Sequence, residues 1–192
     1  MNMKKVLSSK ALKLLTLLLT SMLIASASAA VYYSISMEPT VTISQAVVQF
    51  AQGSDWSHVA GSIGTNNTWC SLSLKAYPNA TLTYEQPLNI SNTDLSNSHQ
   101  FRLRHVSITP VDGSASVSNF TFINFVIKST AGVSQASFNY TTSGDNWDIP
   151  STTSYLVLPA NTEWIIYIET KAAAGATIDI AASIVIAVDV LE

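Results

Sequence analysis

Charge is scarce in this chain of 192 residues: only 11% are Asp, Glu, Lys or Arg, whereas 47% are apolar. General disorder is excluded, because it requires low hydrophobicity together with high net charge. Basic residues are the scarcest, since five of the nine lie beyond residue 30, against twelve acidic ones. This balance excludes a protein that binds nucleic acid through phosphate contacts, which needs a basic face.

Cysteine is also nearly absent. Cys70 is the single one, so no disulfide can form within the chain. It belongs to an alternating stretch in which Cys70, Leu72 and Leu74 share one side. Because free cysteine is among the most buried residue types, we expect Cys70 in the core, with a disulfide between chains as the alternative.

The sequence lacks the common motifs of catalysis and of cofactor or metal binding. It contains no Gly-x-Ser-x-Gly turn and no glycine-rich phosphate loop. Asp55, Ser57 and His58 have the residue types of a catalytic triad, but adjacency in sequence is not triad geometry. We expect no enzyme and no cofactor.

The histidine residues are not spaced in the sequence as the ligands of a zinc site would be. The three histidines form no His-x-His or His-Glu-x-x-His pattern; they are His58, His99 and His105. Asp145, Asn146 and Asp148 cluster oxygen ligands, so a calcium site there is an alternative to a plain polar turn. We expect no metal.

Two features could serve carbohydrate binding. Four tryptophans could form a stacking platform, although core packing explains at least Trp164, which alternates with Ile166 and Ile168; the four are Trp56, Trp69, Trp147 and Trp164. Glu163 and Glu169 share one face of a strand but stand about 20 Å apart, too far for paired glycosidase carboxylates.

The N-terminus has the three parts of a secretory signal peptide. Met1–Lys13 is basic, Leu14–Ala25 is apolar, and small residues follow up to Ala30, which predicts cleavage near residue 29. The apolar run is short for a membrane span, which needs about 20 residues. A rival site between Ala11 and Leu12 would instead leave residues 12–30 as the helix of a type IV pilin-like subunit.

Beyond the signal, the apolar pattern has a period of two, and Pro and Gly separate the runs. This predicts an all-β fold: an antiparallel β-sandwich, jelly-roll or Ig-like, of about eight to ten strands. Ile43–Phe50 fits a short helix as well as a bulged strand. The predicted strands lie near Leu72–Leu74, Thr81–Glu85, Phe101–Ile108, Val117–Lys128, Val133–Thr141, Tyr155–Leu158, Glu163–Glu169 and Thr177–Leu191.

The two terminal strands carry the strongest alternation. In Thr177–Leu191 every even position is apolar, and Asp179 and Asp189 argue against a membrane anchor. Near the N-terminus Val31, Tyr33, Ile35 and Met37 alternate with polar residues until Pro39. Such a strand can complete its own sheet or that of a neighbouring molecule. We therefore divide the chain into a signal peptide (1–29), an N-terminal strand (30–38) and a sandwich (39–192).

Five Asn-x-Ser/Thr sequons follow the signal, a modest excess over chance in a chain so rich in Asn, Ser and Thr. Asn66, Asn79 and Asn89 lie beside turn-like sequence, which suits a bulky glycan, whereas Asn119 and Asn139 lie in predicted strands and can carry one only if they face solvent. The candidate asparagines are Asn66, Asn79, Asn89, Asn119 and Asn139.

The signal peptide, the N-terminal strand, the sequons and the terminal strand together resemble archaeal extracellular filament subunits of the thread and bundling-pilus type. Leu72–Tyr84 and Trp164–Lys171 are the most similar stretches. These proteins are related in architecture to bacterial biofilm matrix fibre proteins.

The resemblance implies donor-strand complementation, in which Val31, Tyr33, Ile35 and Met37 complete the sandwich of the next subunit. It implies a homopolymer, an adhesive or biofilm pilus at the archaeal cell surface, that contacts neighbouring filaments or cells and keeps no membrane span. The alternatives are a secreted, monomeric carbohydrate-binding module and the pilin-like subunit.

Overall fold

A computed structural model describes residues 10–21, 45–111, 116–176 and 180–191. Residues 10–21 form a helix within the predicted signal peptide, and no helix of the described residues is both long and apolar enough to cross a membrane. The sheets lie in a unit of their own, Ser44–Glu192. The predicted cleavage site and the strand Val31–Met37 lie outside the described residues, so both stay predictions.

Strands dominate the rest of the described chain, with two 3-10 turns at Trp56–His58 and Val117–Asn119. The strands are β1 (Val48–Gln52), β2 (Ala60–Ile63), β3 (Trp69–Ala76), β4 (Thr81–Asn92), β5 (His99–Pro110), β6 (Phe120–Lys128), β7 (Ser134–Ser143), β8 (Asn146–Asp148), β9 (Leu156–Leu158), β10 (Glu163–Ala172) and β11 (Ile180–Leu191).

The strands form two sheets. Sheet A has the order β1-β4-β10-β6-β7-β8, and sheet B has the order β2-β3-β11-β5-β9. Every pair of neighbouring strands is antiparallel. Buried side chains of both sheets form one hydrophobic core. The predicted antiparallel β-sandwich is therefore confirmed.

Strand β11 shows how the alternation builds the core. Ile180, Ala182, Ile184 and Ile186 are buried, whereas the residues between them face outward and are half-buried. Full burial of one such isoleucine is worth about 1.5–3 kcal/mol. β11 lies between β3 and β5, so the predicted last strand is central in its sheet.

Cys70 lies on the core face of β3 and is fully buried. Burial disfavours the thiolate and raises the pKa of the Cys70 thiol far above its usual value. The expectation of a core cysteine is confirmed. A disulfide to another chain would require this part of the core to open.

The Ile43–Phe50 segment contains no helix in its described part. Residues 45–47 are irregular and β1 begins at Val48, which pairs with Asn92 of β4. Val48 and Phe50 are buried on one face, as period two requires. Of the two predicted possibilities the strand is correct, because pairing with β4 satisfies backbone groups that a single helical turn would leave unpaired.

Several predicted strand bounds differ from the structure, and two of these differences have a clear cause. β4 continues past Pro87 to Asn92, because the register shift between Ile166 and Ile168 of β10 accommodates a bulge there. β6 begins at Phe120 rather than Val117, because a 3-10 turn occupies Val117–Asn119.

An ion-pair cluster explains the acidic residue inside β11. Asp189 accepts hydrogen bonds from Arg104 Nε and Nη2 at 3.1–3.2 Å and from Arg102 Nε at 3.3 Å. The bonds from Arg104 hold the pKa of Asp189 below its usual range. All three side chains lie on the outward face of sheet B, where they are partly exposed.

We expect Asp189→Asn to lower the free energy of unfolding by about 0.5–1 kcal/mol at neutral pH, the range of partly exposed ion pairs. Because the folded-state pKa is lowered, this contribution is present above the unfolded-state pKa, about 3.9, and is lost as the pH falls through the folded-state value. Urea unfolding of both chains at neutral and strongly acidic pH measures it. An unchanged difference in acid would contradict the assignment.

Candidate strand-addition edge

A long uncovered strand edge in the described residues belongs to β7. One side of β7 pairs with β6, whereas on the other side β8 covers only Thr141–Ser143. No other described backbone group pairs with Ser134–Tyr140, which we call the open β7 edge. Every second residue of such an edge directs its N–H and C=O away from the sheet, where a further strand can bind them.

The side chains of the open β7 edge leave it unprotected. It contains no charged residue and no proline, two usual means of preventing strand addition, and its bulge at Gln135 leaves Ala136–Tyr140 regular. Phe138 and Tyr140 are buried and Ala136 is half-buried, while the alternating residues face solvent. A strand added here would continue both the sheet and the core of the sandwich.

An aromatic cluster holds this edge in place. The ring of Phe138 packs edge-to-face against Phe125 and Tyr140, with ring centroids 6.1 and 5.4 Å apart. Tyr140 Oη lies 2.9 Å from His105 Nδ1 of β5, a hydrogen bond that links the two sheets. Burial lowers the pKa of His105 and raises that of Tyr140, so both groups are neutral at neutral pH.

The corresponding edge of sheet B is blocked by its own sequence. β5 bulges at Val106, carries Arg104 at one end of its uncovered part and ends at Pro110. Bulges, charges and proline each interrupt a regular hydrogen-bond ladder. This edge is poorly suited to accept a strand.

The edges on the other side of the sandwich are capped by hydrogen bonds. Asn67 O accepts the outward N–H of Phe50 in β1 at 2.7 Å. The Asp55 carboxylate accepts the N–H groups of Glu85 and Gln86 in β4 at 2.8 and 3.1 Å. Tyr84 Oη accepts the N–H of Lys75 in β3 at 3.0 Å.

The predicted sequons differ in accessibility. Asn66, Asn79 and Asn139 are exposed and Asn119 is half-buried. Asn89 does not fit the expectation: it is 3% exposed, and its amide nitrogen donates to Glu163 Oε1 at 2.6 Å. A glycan on that nitrogen would occupy the position of this hydrogen bond, so we leave Asn89 out of the candidate set.

The triad residue types do not assemble into a triad. Asp55 binds the backbone of β4, as described above, and His58 ends the 3-10 turn Trp56–His58.

A second histidine has a carboxylate partner: His99 Nε2 lies 3.0 Å from Asp94 Oδ2. Hydrogen bonds to the Asp94 carboxylate hold its pKa well below its usual range, and the hydrogen bond with His99 has the largest effect.

The described residues contain no group of three His, Cys, Asp or Glu side chains that could hold a metal ion. In the candidate calcium turn, Ser116 donates to Asp145 at 3.1 Å and Thr141 donates to Asp148 at 3.2 Å. These two carboxylates therefore accept hydrogen bonds from separate hydroxyl groups.

The four tryptophans do not form one platform. Trp164 is buried beside Phe101, and Trp56 and Trp147 pack against the core. Only Trp69 is substantially exposed among the four, at 41%. Core packing is the correct interpretation for the other three.

Neither a protein-family model nor a curated protein sequence matches the chain. Among solved structures, it is similar to the enzymatically active domain of tailspike protein 4 from bacteriophage CBA120, with 14% identity and a TM-score of 0.30. The match covers 78% of this chain and 20% of the tailspike chain. So weak a likeness carries no argument about function.

Proposed function

We propose that this protein is the structural subunit of an extracellular filament, which polymerises when the N-terminal strand Val31–Met37 of one subunit pairs with the open β7 edge of the next. The observation that carries the proposal is the open β7 edge itself. It is uncharged, continuous with the core and regular from Ala136 to Tyr140, whereas the other long edges are capped by hydrogen bonds or interrupted by a bulge, a charge and a proline.

The two segments match in length and chemistry. Val31–Met37 and Ser134–Tyr140 each contain seven residues, and neither contains a charge or a proline. Alternate residues of the N-terminal strand are apolar, so pairing would place Val31, Tyr33, Ile35 and Met37 on the side of Phe138 and Tyr140. Each fully buried side chain would contribute about 1.5–3 kcal/mol, in addition to the backbone hydrogen bonds.

Ala136 offers a test on the acceptor side. We expect Ala136→Lys to remain folded, because a lysine at a half-buried edge position can extend its ammonium group into solvent. The same group would have to be buried when a strand is added, so the variant should form no fibres. Electron microscopy and size-exclusion chromatography of the purified mature protein measure the outcome.

Ala136→Met is the matched control, since it has a similar side-chain length without the charge, and it should form fibres. Fibres of normal length from Ala136→Lys would refute the β7 edge as the acceptor. A wild-type protein that stays monomeric at all concentrations would instead favour the carbohydrate-binding module.

A further inference from the structure

The outer face of sheet A contains a shallow polar pocket of about 420 Å³. Strands β6, β7 and β10 form its floor. It is lined by Thr121, Phe122, Asn124, Ser137, Asn139, Thr141 and Glu169. Pockets of about 300–1,000 Å³ hold small ligands, and amide, hydroxyl and carboxylate groups around one aromatic ring suit a sugar.

Both functional residues of one sequon lie in this pocket. Asn139 of β7 is exposed and stands opposite Asn124 of β6, while Thr141 stands opposite Phe122. The aromatic ring of Phe122 on the neighbouring strand is therefore diagonal to the acceptor amide of the sequon, and both line the pocket. No other sequon asparagine lines this pocket.

Hydrogen-bonding groups surround Asn139. The Glu169 carboxylate receives hydrogen bonds from Tyr167 Oη at 3.1 Å and from Asn124 Nδ2 at 3.5 Å. A carboxylate has about four lone-pair sites, so Glu169 keeps acceptor capacity for hydroxyl groups. The remaining amide atoms of Asn124 can serve the same ligand.

We propose that Asn139 carries an N-linked glycan whose first sugar packs in this pocket, over the ring of Phe122 and against Asn124 and Glu169. In the modification, the Asn139 amide nitrogen bonds to the anomeric carbon of a lipid-linked oligosaccharide pyrophosphate. The bond from that carbon to the phosphate oxygen breaks, the pyrophosphate leaves with the electron pair, and the amide nitrogen loses one proton. The inference rests on the export that the proposed function includes.

The glycan and the donated strand extend from β7 in different directions. Side chains stand roughly perpendicular to their sheet, whereas an added strand lies in its plane. Asn139 faces outward, on the side opposite to Phe138 and Tyr140. The glycan therefore covers the outer face next to the open β7 edge without replacing the hydrogen bonds along it.

The full-length gene product, secreted from a host that exports and N-glycosylates proteins, provides the mature protein for the test. We expect peptide mapping to find the glycan on Asn139 in the wild type and in Thr141→Ser, which preserves the sequon, and to find none in Thr141→Val. In the glycosylated protein, Asn139→Gln should lower Tm by about 2–4 °C, the shift of a modest stabilising contact in a domain of this size.

Phe122→Ala separates packing from simple attachment. It should lower Tm more in the glycosylated protein than in the same chain from a host without N-glycosylation. An unmodified Asn139, or an equal effect of Phe122→Ala in both proteins, would overturn the inference. Fibres are scored separately by microscopy: fibres with an unmodified Asn139 refute this site alone, and glycosylated monomers without fibres refute the proposed function alone.

Discussion

Mature chains with Ile35→Asp are expected to be secreted and folded but to form no fibres. Ile35 lies at the centre of the proposed donor strand, on the apolar side that would contact the next subunit. A carboxylate buried there without a partner costs several kcal/mol. Since about 1.4 kcal/mol corresponds to a tenfold change in affinity, subunit association should weaken at least about a hundredfold.

Ser34→Asp is the control for the donor strand. It introduces the same charge one residue away, on the opposite side of an alternating strand, and should allow fibres to form. Circular dichroism and thermal unfolding check that both chains fold. Fibres of normal length and heat resistance from Ile35→Asp would contradict strand donation in this protein.

Mixing the two blocked variants sharpens the test. Ile35→Asp retains an intact open β7 edge, and Ala136→Lys retains an intact donor strand. Their mixture should yield a one-to-one dimer and nothing longer, because the second pairing is blocked at both ends. Analytical ultracentrifugation distinguishes this dimer from monomers or long polymers, and either of those would count against the mechanism.

Among substitutions of a single polar side chain in the described residues, Asn92→Ala should cause the largest loss of stability. Asn92 is 1% exposed, and its amide donates to the carbonyls of Asn97, Leu158 and Pro159 at 2.9–3.2 Å. Its Oδ1 accepts the N–H of Asp94 at 3.0 Å. Because each buried group left unpaired costs about 1–3 kcal/mol, we expect a loss of roughly 3 kcal/mol or more.

Two further variants test whether the buried hydrogen bonds of Asn92 cause this loss. Asn92→Asp keeps an acceptor for Asp94 but loses the amide donor, so it should be nearly as unstable as Asn92→Ala. Asn97→Ala alters an exposed residue in the same turn, whose side chain reaches only Asp94, and should cost less than about 1 kcal/mol. Denaturant unfolding compares them; equal losses for Asn92→Ala and Asn97→Ala would contradict the role of Asn92.

The fold class could be predicted because alternation and sheet burial share one physical cause. In β11, β3 and β10 each second side chain enters the core, so the period of two is visible in the sequence. The 3-10 turns at Trp56 and Val117 could not be predicted in the same way. Their local hydrogen bonds involve few residues and leave no periodic pattern.

The proposed acceptor edge could not be identified from the sequence. Ser134–Tyr140 has the alternation of any half-buried strand, and only the strand order shows that one side of it is uncovered. Asn92 was missed for a similar reason, since its hydrogen bonds reach residues 66 and 67 positions away in sequence. The absence of charge from β7 was the one available signal.

The central position of β11 has a consequence for biogenesis. β3 and β5 do not pair with each other, and in sheet B each needs β11 as its common partner. A nascent or truncated chain that lacks Ile180–Leu191 therefore leaves β3 and β5 without their common partner and exposes core side chains of sheet B. Since pairing between strands that are distant in sequence is slow, we expect sheet B to be completed only after β11 has been synthesised, and copies without β11 are excluded from any assembly that requires the finished domain.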